Sequence, residues 1–440
     1  MSPNRTSVLK YRGFKNLIYG QLISQFGDTL HFLVFLWWAG RIGGAAAAGL
    51  VGACSIGASV VLSLYTGTVA DRYDRKRILF LSDLACGAVS LGMVAMAAFV
   101  AKPEIWMLCA FAVLLKFGYA FQMPARGAAV PRLVPEDRLL EANSLNMSLQ
   151  TMMPVIGNAL GAFVLGAIFS LNETLAYEFT FSVNAATFFI SAMFMSKLPA
   201  IPPERDAAAK HPFAEAKDGL KFVFGHPIIR TATLVFTGFS FFCGPTIVAF
   251  VQSAQTTFAS GFTIFGMTLK GAPLLALMEM GFFAGFVSGS ACVYRRPITR
   301  AGVAFAIALP ISGVLVAALG FVSNVPAFWV LNFLCGVAMP FGVIPLETLL
   351  QQETPDMFRG RMNATVGTLS AASAPLAMAL AGGAIVAIGL DWMYAVMGLG
   401  LAVASVAGAL SPAFRRSKVV VATTESVAES QPEEPAPAMA

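Results

Sequence analysis

Charge is scarce in this sequence: of 440 residues only 12% are Asp, Glu, Lys or Arg, against 57% that are hydrophobic. Surface of that kind cannot all be hidden in one aqueous core, so a soluble domain is excluded and the chain must be solvated by lipid. Histidine is scarcer still, with His31, His211 and His226 far apart. Cys54, Cys86, Cys109, Cys243, Cys292 and Cys335 each fall in an apolar run, without C-x-x-C spacing. Disulfides and metal sites are therefore disfavoured, and so is a polytopic membrane enzyme, which needs a nucleophile, metal cluster or paired acid and base. No G-x-x-x-x-G-K-S/T segment is present to cradle phosphates, which argues against direct use of ATP. The longest loop has only about thirty residues, too few for the soluble domain of a sensor or receptor. Lys10, Arg12 and Lys15 precede an apolar run of about 23 residues with no small-residue cleavage pattern, so the first span is retained rather than cleaved.

What is abundant is apolar. Mean hydropathy is +0.73, with 37 Phe and 40 Gly. Twelve runs are long enough to cross about 30 Å of hydrocarbon as helix. They lie near 17–39, 46–69, 78–100, 104–123, 143–168, 175–196, 230–252, 272–293, 298–320, 325–346, 364–389 and 392–411. None has the period-two alternation of a membrane barrel strand, so the expected fold is an all-α membrane protein. Of the 29 Lys and Arg, 25 fall on the side shared by both termini, only Arg41, Lys102 and Lys270 on the other, and Lys116 within a span. This bias places both termini in the cytoplasm and the chain in the cell inner membrane, as a multi-pass protein. The net charge of +6 then reflects topology and contact with membrane lipids, not nucleic acid.

A shift of 220 residues superimposes Pro135 on Pro355, Asn143 on Asn363, and Arg75 and Lys76 on Arg295 and Arg296. Three coincidences at one offset suggest duplication into parallel halves. The expected organisation is a cytoplasmic N-terminus (1–16), an N-terminal six-helix bundle (17–196), a linker (197–229), a C-terminal six-helix bundle (230–412) and a disordered tail (413–440). Within the linker, Phe213, Ala216, Leu220, Val223 and Phe224 recur at helical spacing, predicting an amphipathic surface helix. The tail is rich in Ala, Pro, Glu, Ser and Thr and cannot bury enough apolar area to order itself.

Polar groups inside the spans carry the chemistry, because each ionisable side chain costs roughly 2.5–3.5 kcal/mol at the bilayer centre. Gln21, Gln25 and Asp28 recur at i, i+4 and i+7 on one face of the first span, with His31 a turn further on. The stripe reads either as buried packing or as a binding face; for Asp28 the reading is proton or substrate binding. Glu279 is a second candidate carrier. Lys116 can pair with Asp28, contact an anionic substrate group, or snorkel toward water. In the fifth span Asn143, Asn146, Gln150, Pro154, Gly157, Asn158 and Gly161 lie along one side. There Pro154 frees a carbonyl and the glycines permit close helix contact, so the helix can bend and pack tightly. Arg126 and Glu347 stand at matching depth at an offset of 221 and could bridge the halves as a cytoplasmic gate.

Between the second and third spans the sequence GTVADRYDRKRIL (67–79) places Gly67, Asp71, Arg72, Arg75 and Lys76 in order, with Arg77 following. This resembles the loop signature of the major facilitator superfamily, G-x-x-x-D-R-x-x-R-K/R, with Asp74 where that family usually has Gly. The equivalent loop of the second half lacks the acid, Ala291 standing in its place. FKNLIYGQLISQFGDTL (14–30), PARGAAVPRLVPEDRLLEANSLN (124–146) and RGRMNATVGTLSAASAPLAMALAGG (359–383) are similar to the drug:proton antiporter branch that includes macrolide exporters and the enterobactin exporter. The fifth span loosely resembles the antiporter motif, with Met153-Pro154 where the family has Gly-Pro.

The resemblance implies two six-helix bundles rocking about a central cavity, working as a monomer without cofactor. It also implies that Asp71 meets the start of the eleventh span near Asn363 and latches the outward-open state. The expected function is secondary transport: efflux of an amphipathic small molecule in exchange for protons. The runner-up is transport of a lysophospholipid or siderophore along the same route.

Overall fold

The computed structural model describes residues 7–202, 212–296, 298–354, 356–412, 414 and 417. Its α-helices run α1 (Arg12–Arg72), α2 (Arg75–Phe99), α3 (Ile105–Leu133), α4 (Leu139–Leu171), α5 (Glu173–Ser196), α6 (Pro212–Gly225), α7 (Pro227–Cys243), α8 (Thr246–Gln255), α9 (Ala272–Arg295), α10 (Ala301–Leu319), α11 (Val325–Gln352), α12 (Asp356–Ile388) and α13 (Leu390–Ala409). Among the described residues ten helical stretches are long and apolar enough to cross a membrane. One of them, Arg12–Leu62, has 51 residues and makes two crossings, and Leu390–Val406 adds a shorter apolar helix. Large side chains such as Leu81, Phe99, Val314, Val386 and Leu399 are more than half exposed on these helices. Water would not tolerate so much apolar surface, whereas acyl chains solvate it.

Local chemistry explains the breaks. Gly44 adopts φ 64 and ψ −156, which a β-carbon disfavours, so α1 turns there and its second crossing begins. Asp74 accepts from the backbone N–H groups of Lys76 (2.8 Å) and Arg77 (3.3 Å), capping α2. That accounts for an acid where the signature usually has Gly. Arg75 is buried; its N–H and guanidinium donate to the carbonyls of Ile201 (3.1 Å) and Pro202 (3.2 Å), tying the start of the linker to this loop.

The single run predicted at 230–252 is instead two helices, α7 and α8. Pro245 lacks the N–H that a continuous helix would need, so the helix breaks at Gly244-Pro245. A second departure from the purely helical expectation is a hairpin, β1 (Phe262–Ile264) paired antiparallel with β2 (Met267–Leu269). It packs against α4, with Leu269 in the core.

The core divides unequally. On the side of the membrane shared by the helix ends nearest the termini, one buried cluster is built only from the first half, including Phe14, Leu79, Ala129 and Met195. Another is built only from the second half, including Ile229, Phe305, Leu349 and Phe414. On the far side a single cluster joins both halves, from Phe35, Met93 and Phe181 to Phe250, Met278, Met378 and Tyr394. The halves are therefore packed together on the far side and packed separately on the terminus side. The closest approach joins α1 to α12, where a β-carbon on Gly382 would lie 2.5 Å from Cα of Ala46 and one on Gly49 2.5 Å from the Met378 carbonyl oxygen.

The linker segment 203–211 and the tail from 418 lie outside the described residues, as do the side-chain placements at Asp71, Phe213, Ala216 and Asn363. The expected latch between Asp71 and Asn363 falls among these. Within the predicted surface helix, now α6, Val223 is buried in the second-half core, whereas Leu220 and Phe224 are exposed.

Overpacking the far-side seam should destabilise the protein. Gly382→Val is expected to cost about 1–3 kcal/mol, read as a lowered unfolding temperature of the purified protein. Gly383→Val, whose β-carbon meets nothing within 4 Å, is expected to leave that temperature unchanged.

Candidate functional site

Among the described residues two polar centres occupy the membrane interior. The first is built within the first half. Asp83, on α2, is 1% exposed; it accepts from Gln122 Nε2 at 2.8 Å and from Ser191 Oγ at 2.6 Å. Gln122 in turn accepts from Arg126 Nη2 at 2.6 Å, so α2, α3 and α5 are joined by one chain of hydrogen bonds. Asp28 stands half-buried on α1 within reach of the charges of Lys116, Arg126 and Asp83. The cluster thus holds two acids and two bases, so most of its charge is answered internally, as buried charges require. Arg126 keeps Nε and Nη1 without a partner, and Lys116 Nζ lies over the Tyr119 ring at 4.9 Å.

The second centre spans both halves. Asn158, on α4 and 1% exposed, donates from Nδ2 to Glu279 Oε2 on α9 at 3.1 Å. Glu279 lines a cavity of about 270 Å³ whose other walls include Phe239, Phe250, Phe282, Phe283 and Asn332. Glycines bring α4 close to α1: a β-carbon on Gly157 would meet Thr29 at 2.9 Å, and one on Gly161 would meet Leu30 at 2.7 Å. Asn158 lies between these contacts and is carried to the α9 surface.

Above both centres the far side is closed. Glu173 takes Trp37 Nε1 at 3.2 Å, Tyr177 Oη at 2.5 Å and Arg41 Nε at 3.4 Å. Gln255, at the end of α8, sits where its amide can donate to the Gly40 carbonyl at 3.3 Å and accept from Arg41 N–H at 3.1 Å. This bond crosses from the second half to the first.

Residues 17–355 match the family model described as Major Facilitator Superfamily. The chain belongs to the Major Facilitator Superfamily. It is 27% identical over 416 residues, 88% of its length and 90% of the relative's, to Uncharacterized MFS-type transporter YfiS of Bacillus subtilis (strain 168). It is 23% identical over 321 residues, 71% of its length and 93% of the relative's, to Macrolide efflux protein A of Enterococcus faecalis. Among solved structures, a POT family transporter in complex with thioalcohol conjugated peptide superimposes with a TM-score of 0.67 at 12% identity, covering 92% of this chain and 97% of that one. That likeness shows the fold alone.

Within this facilitator, the predicted site residues separate. Along the polar stripe of the first span Gln21 is buried, Gln25 keeps a buried Oε1 without partner, and the His31 ring enters aromatic packing with its Nδ1 buried and unpartnered. The imidazole stacks on Phe35 at 5.2 Å and meets Phe181 at 5.4 Å, because one turn beyond Asp28 the helix has rotated toward α5. Gln150 donates to Asn146 at 3.3 Å, four residues back, on the part of α4 nearest its start. Pro154 lies inside α4. Gly67 and Arg72 close α1, and Lys76 opens α2 beside the capping Asp74.

Arg126 does not pair with Glu347 in this conformation. It lies inside α3, buried against Gln122, rather than in the loop where the charge count put it, while Glu347 is exposed on α11. Asp83 was not among the sequence candidates. Its signal was present, since it is the one Asp, Glu, Lys or Arg in the run 78–100 and meets the same insertion cost as Asp28.

Removing Asp83 takes a counter-charge from Arg126 and leaves Gln122 Nε2 and Ser191 Oγ without their acceptor. Asp83→Ala is therefore expected to cost about 3–5 kcal/mol, whereas the double change Asp83→Leu with Arg126→Leu should recover most of the loss. Thermal unfolding of the three purified proteins measures the difference.

Proposed function

We propose that this facilitator is a proton-coupled secondary transporter of the bacterial inner membrane that expels an amphipathic small molecule by alternating access. The observation that carries the reading is the divided core: two separate clusters on the terminus side and one shared cluster on the far side. Such packing leaves a cleft between the halves that opens toward the termini, and the Lys and Arg bias assigns that side to the cytoplasm. The described conformation is then inward-facing. Asp28 stands half-buried inside the first half among groups that can answer its charge or take its proton, which suits a carboxylate that loads and unloads.

Export requires the far-side contacts to break. Gln255 must leave Gly40 and Arg41, Glu279 must leave Asn158, and α12 must draw away from α1. On the terminus side, the Asp71 loop would then meet the start of α12 and hold the outward-facing state. A carboxylate at a helix N-terminus gains about 0.3–1 kcal/mol, small enough to be broken in every cycle. One proton carried through about 100 mV supplies roughly 2.3 kcal/mol, enough for a solute gradient of about fifty-fold at roughly 1.4 kcal/mol per tenfold. The substrate class is supported by the likeness to Macrolide efflux protein A and by the largely aromatic and aliphatic walls of the second-half cavity around Glu279. The transporter works as a monomer with protons and lipid as its partners.

Proteoliposomes carrying an imposed pH gradient test this with a panel of dyes, macrolides and siderophores. Wild type should accumulate at least one amphipathic compound, and Asp28→Asn should lose at least tenfold of the gradient-driven component; equal accumulation at every pH would remove Asp28 from coupling. Asp71→Asn should insert normally yet slow turnover, and an unchanged rate would count against the latch.

A further inference from the structure

We propose that the cavity around Glu279 binds the cationic end of an organic amine with an aromatic or apolar body, and that Asn158 is the group this cation displaces. The proposal deepens the transport reading and rests on it for the cation's passage, though not for its binding.

Three observations carry it. Among the described residues Glu279 is the only carboxylate lining this cavity, no base acts on it, and its one side-chain partner is the neutral Asn158. Asp28 and Asp83 differ in this respect, because Lys116 and Arg126 answer them. An unanswered carboxylate inside a membrane protein is a site waiting for a positive charge.

The walls favour the same sign. Phe239, Phe250, Phe282 and Phe283 surround the cavity, and aromatic faces are the negative pole of the ring quadrupole, which attracts a desolvated cation. The amides beside Glu279 add acceptors rather than free donors: Asn158 Oδ1 is buried without a partner, and Asn332, in the cavity wall, already commits its amide to the Met278 carbonyl at 2.8 Å. Free acceptors call for a donor, and a protonated amine supplies donors and charge together.

Size supports an organic ligand. A volume of about 270 Å³ exceeds that of several waters, each occupying about 30 Å³ in the liquid. An ammonium ion alone would leave most of it empty, whereas an amine carrying a ring would fill it.

Position supplies the link to the transport cycle. Glu279 belongs to the second half and Asn158 to the first, so their bond holds the halves together at mid-depth. A cation that takes the carboxylate competes with Asn158 and loosens that hold, so occupancy and far-side opening are linked by one hydrogen bond.

Equilibrium binding to the purified, detergent-solubilised protein tests the proposal without any gradient. 9-Aminoacridine, a planar aromatic amine protonated at neutral pH, is the probe, and its fluorescence anisotropy is the readout; acridine at a pH where it is neutral is the control. Wild type should bind 9-aminoacridine, Glu279→Gln should lose at least tenfold in affinity, Glu279→Asp should keep most of it, and the neutral control should bind both proteins alike. A loss smaller than tenfold in Glu279→Gln, or no 9-aminoacridine binding by wild type, overturns the proposal. Should Glu279→Gln fail to fold, carbodiimide labelling of wild type followed by peptide mass spectrometry decides instead: 9-aminoacridine should shield Glu279 from modification, and equal labelling with and without it overturns the proposal. If 9-aminoacridine binding depends on Glu279 while vesicles show no gradient-driven transport, the transport reading fails and the binding site stands.

Discussion

An ionised side chain in hydrocarbon persists only where another group answers it, and that constraint organises this protein more than any packing rule. In the first half the answer is local. Asp83 is held by Gln122 and Ser191, Gln122 by Arg126, and Asp28 stands among the same charges. The result fixes α2, α3 and α5 as a rigid unit, because removing any member would leave another unpaired. In the second half the answer is remote: Glu279 depends on an amide from across the interface. The first half's interior charges answer one another, whereas Glu279 of the second half is answered from across the interface.

The apolar core repeats this asymmetry along the membrane normal. Side chains from both halves share one cluster on the far side, while each half closes its own cluster on the other. Two self-sufficient cores at one end would let the halves separate there without exposing a torn interior. The tie between Arg75 and the carbonyls of Ile201 and Pro202 keeps the departing linker registered to the loop between the second and third crossings.

Most of the fold was legible in the sequence because lipid imposes a harsh length requirement on every crossing. The turn at Gly43-Gly44, the start of α2 and the helical linker segment were readable from apolar runs and their punctuation. The break at Gly244-Pro245 was harder to see, since Phe241, Phe242, Thr246 and Ile247 keep the run apolar and hydropathy does not register a missing N–H. The hairpin at 262–269 has strands of three residues, below any periodicity signal. Of the site, Asp28, Asn158 and Glu279 stood out as polar groups in apolar runs, but spacing along one helix could not show that Asn158 and Glu279 meet. His31 illustrates the converse: a polar residue on the expected face was absorbed by Phe35 and Phe181, a fate set by a neighbouring helix. Arg126 looked like a loop residue because its run of Pro and Ala hides how far α3 extends.

The join between α1 and α12 brings backbone against backbone at Ala46, Gly49 and Gly382, with the flexible Met378 side chain laid over Gly52. A seam so sparsely toothed would part with little friction, since a thioether bends aside where a ring or a branched chain would have to be drawn from a socket. Speed of reversal, rather than strength of closure, is what such a smooth hinge plate favours.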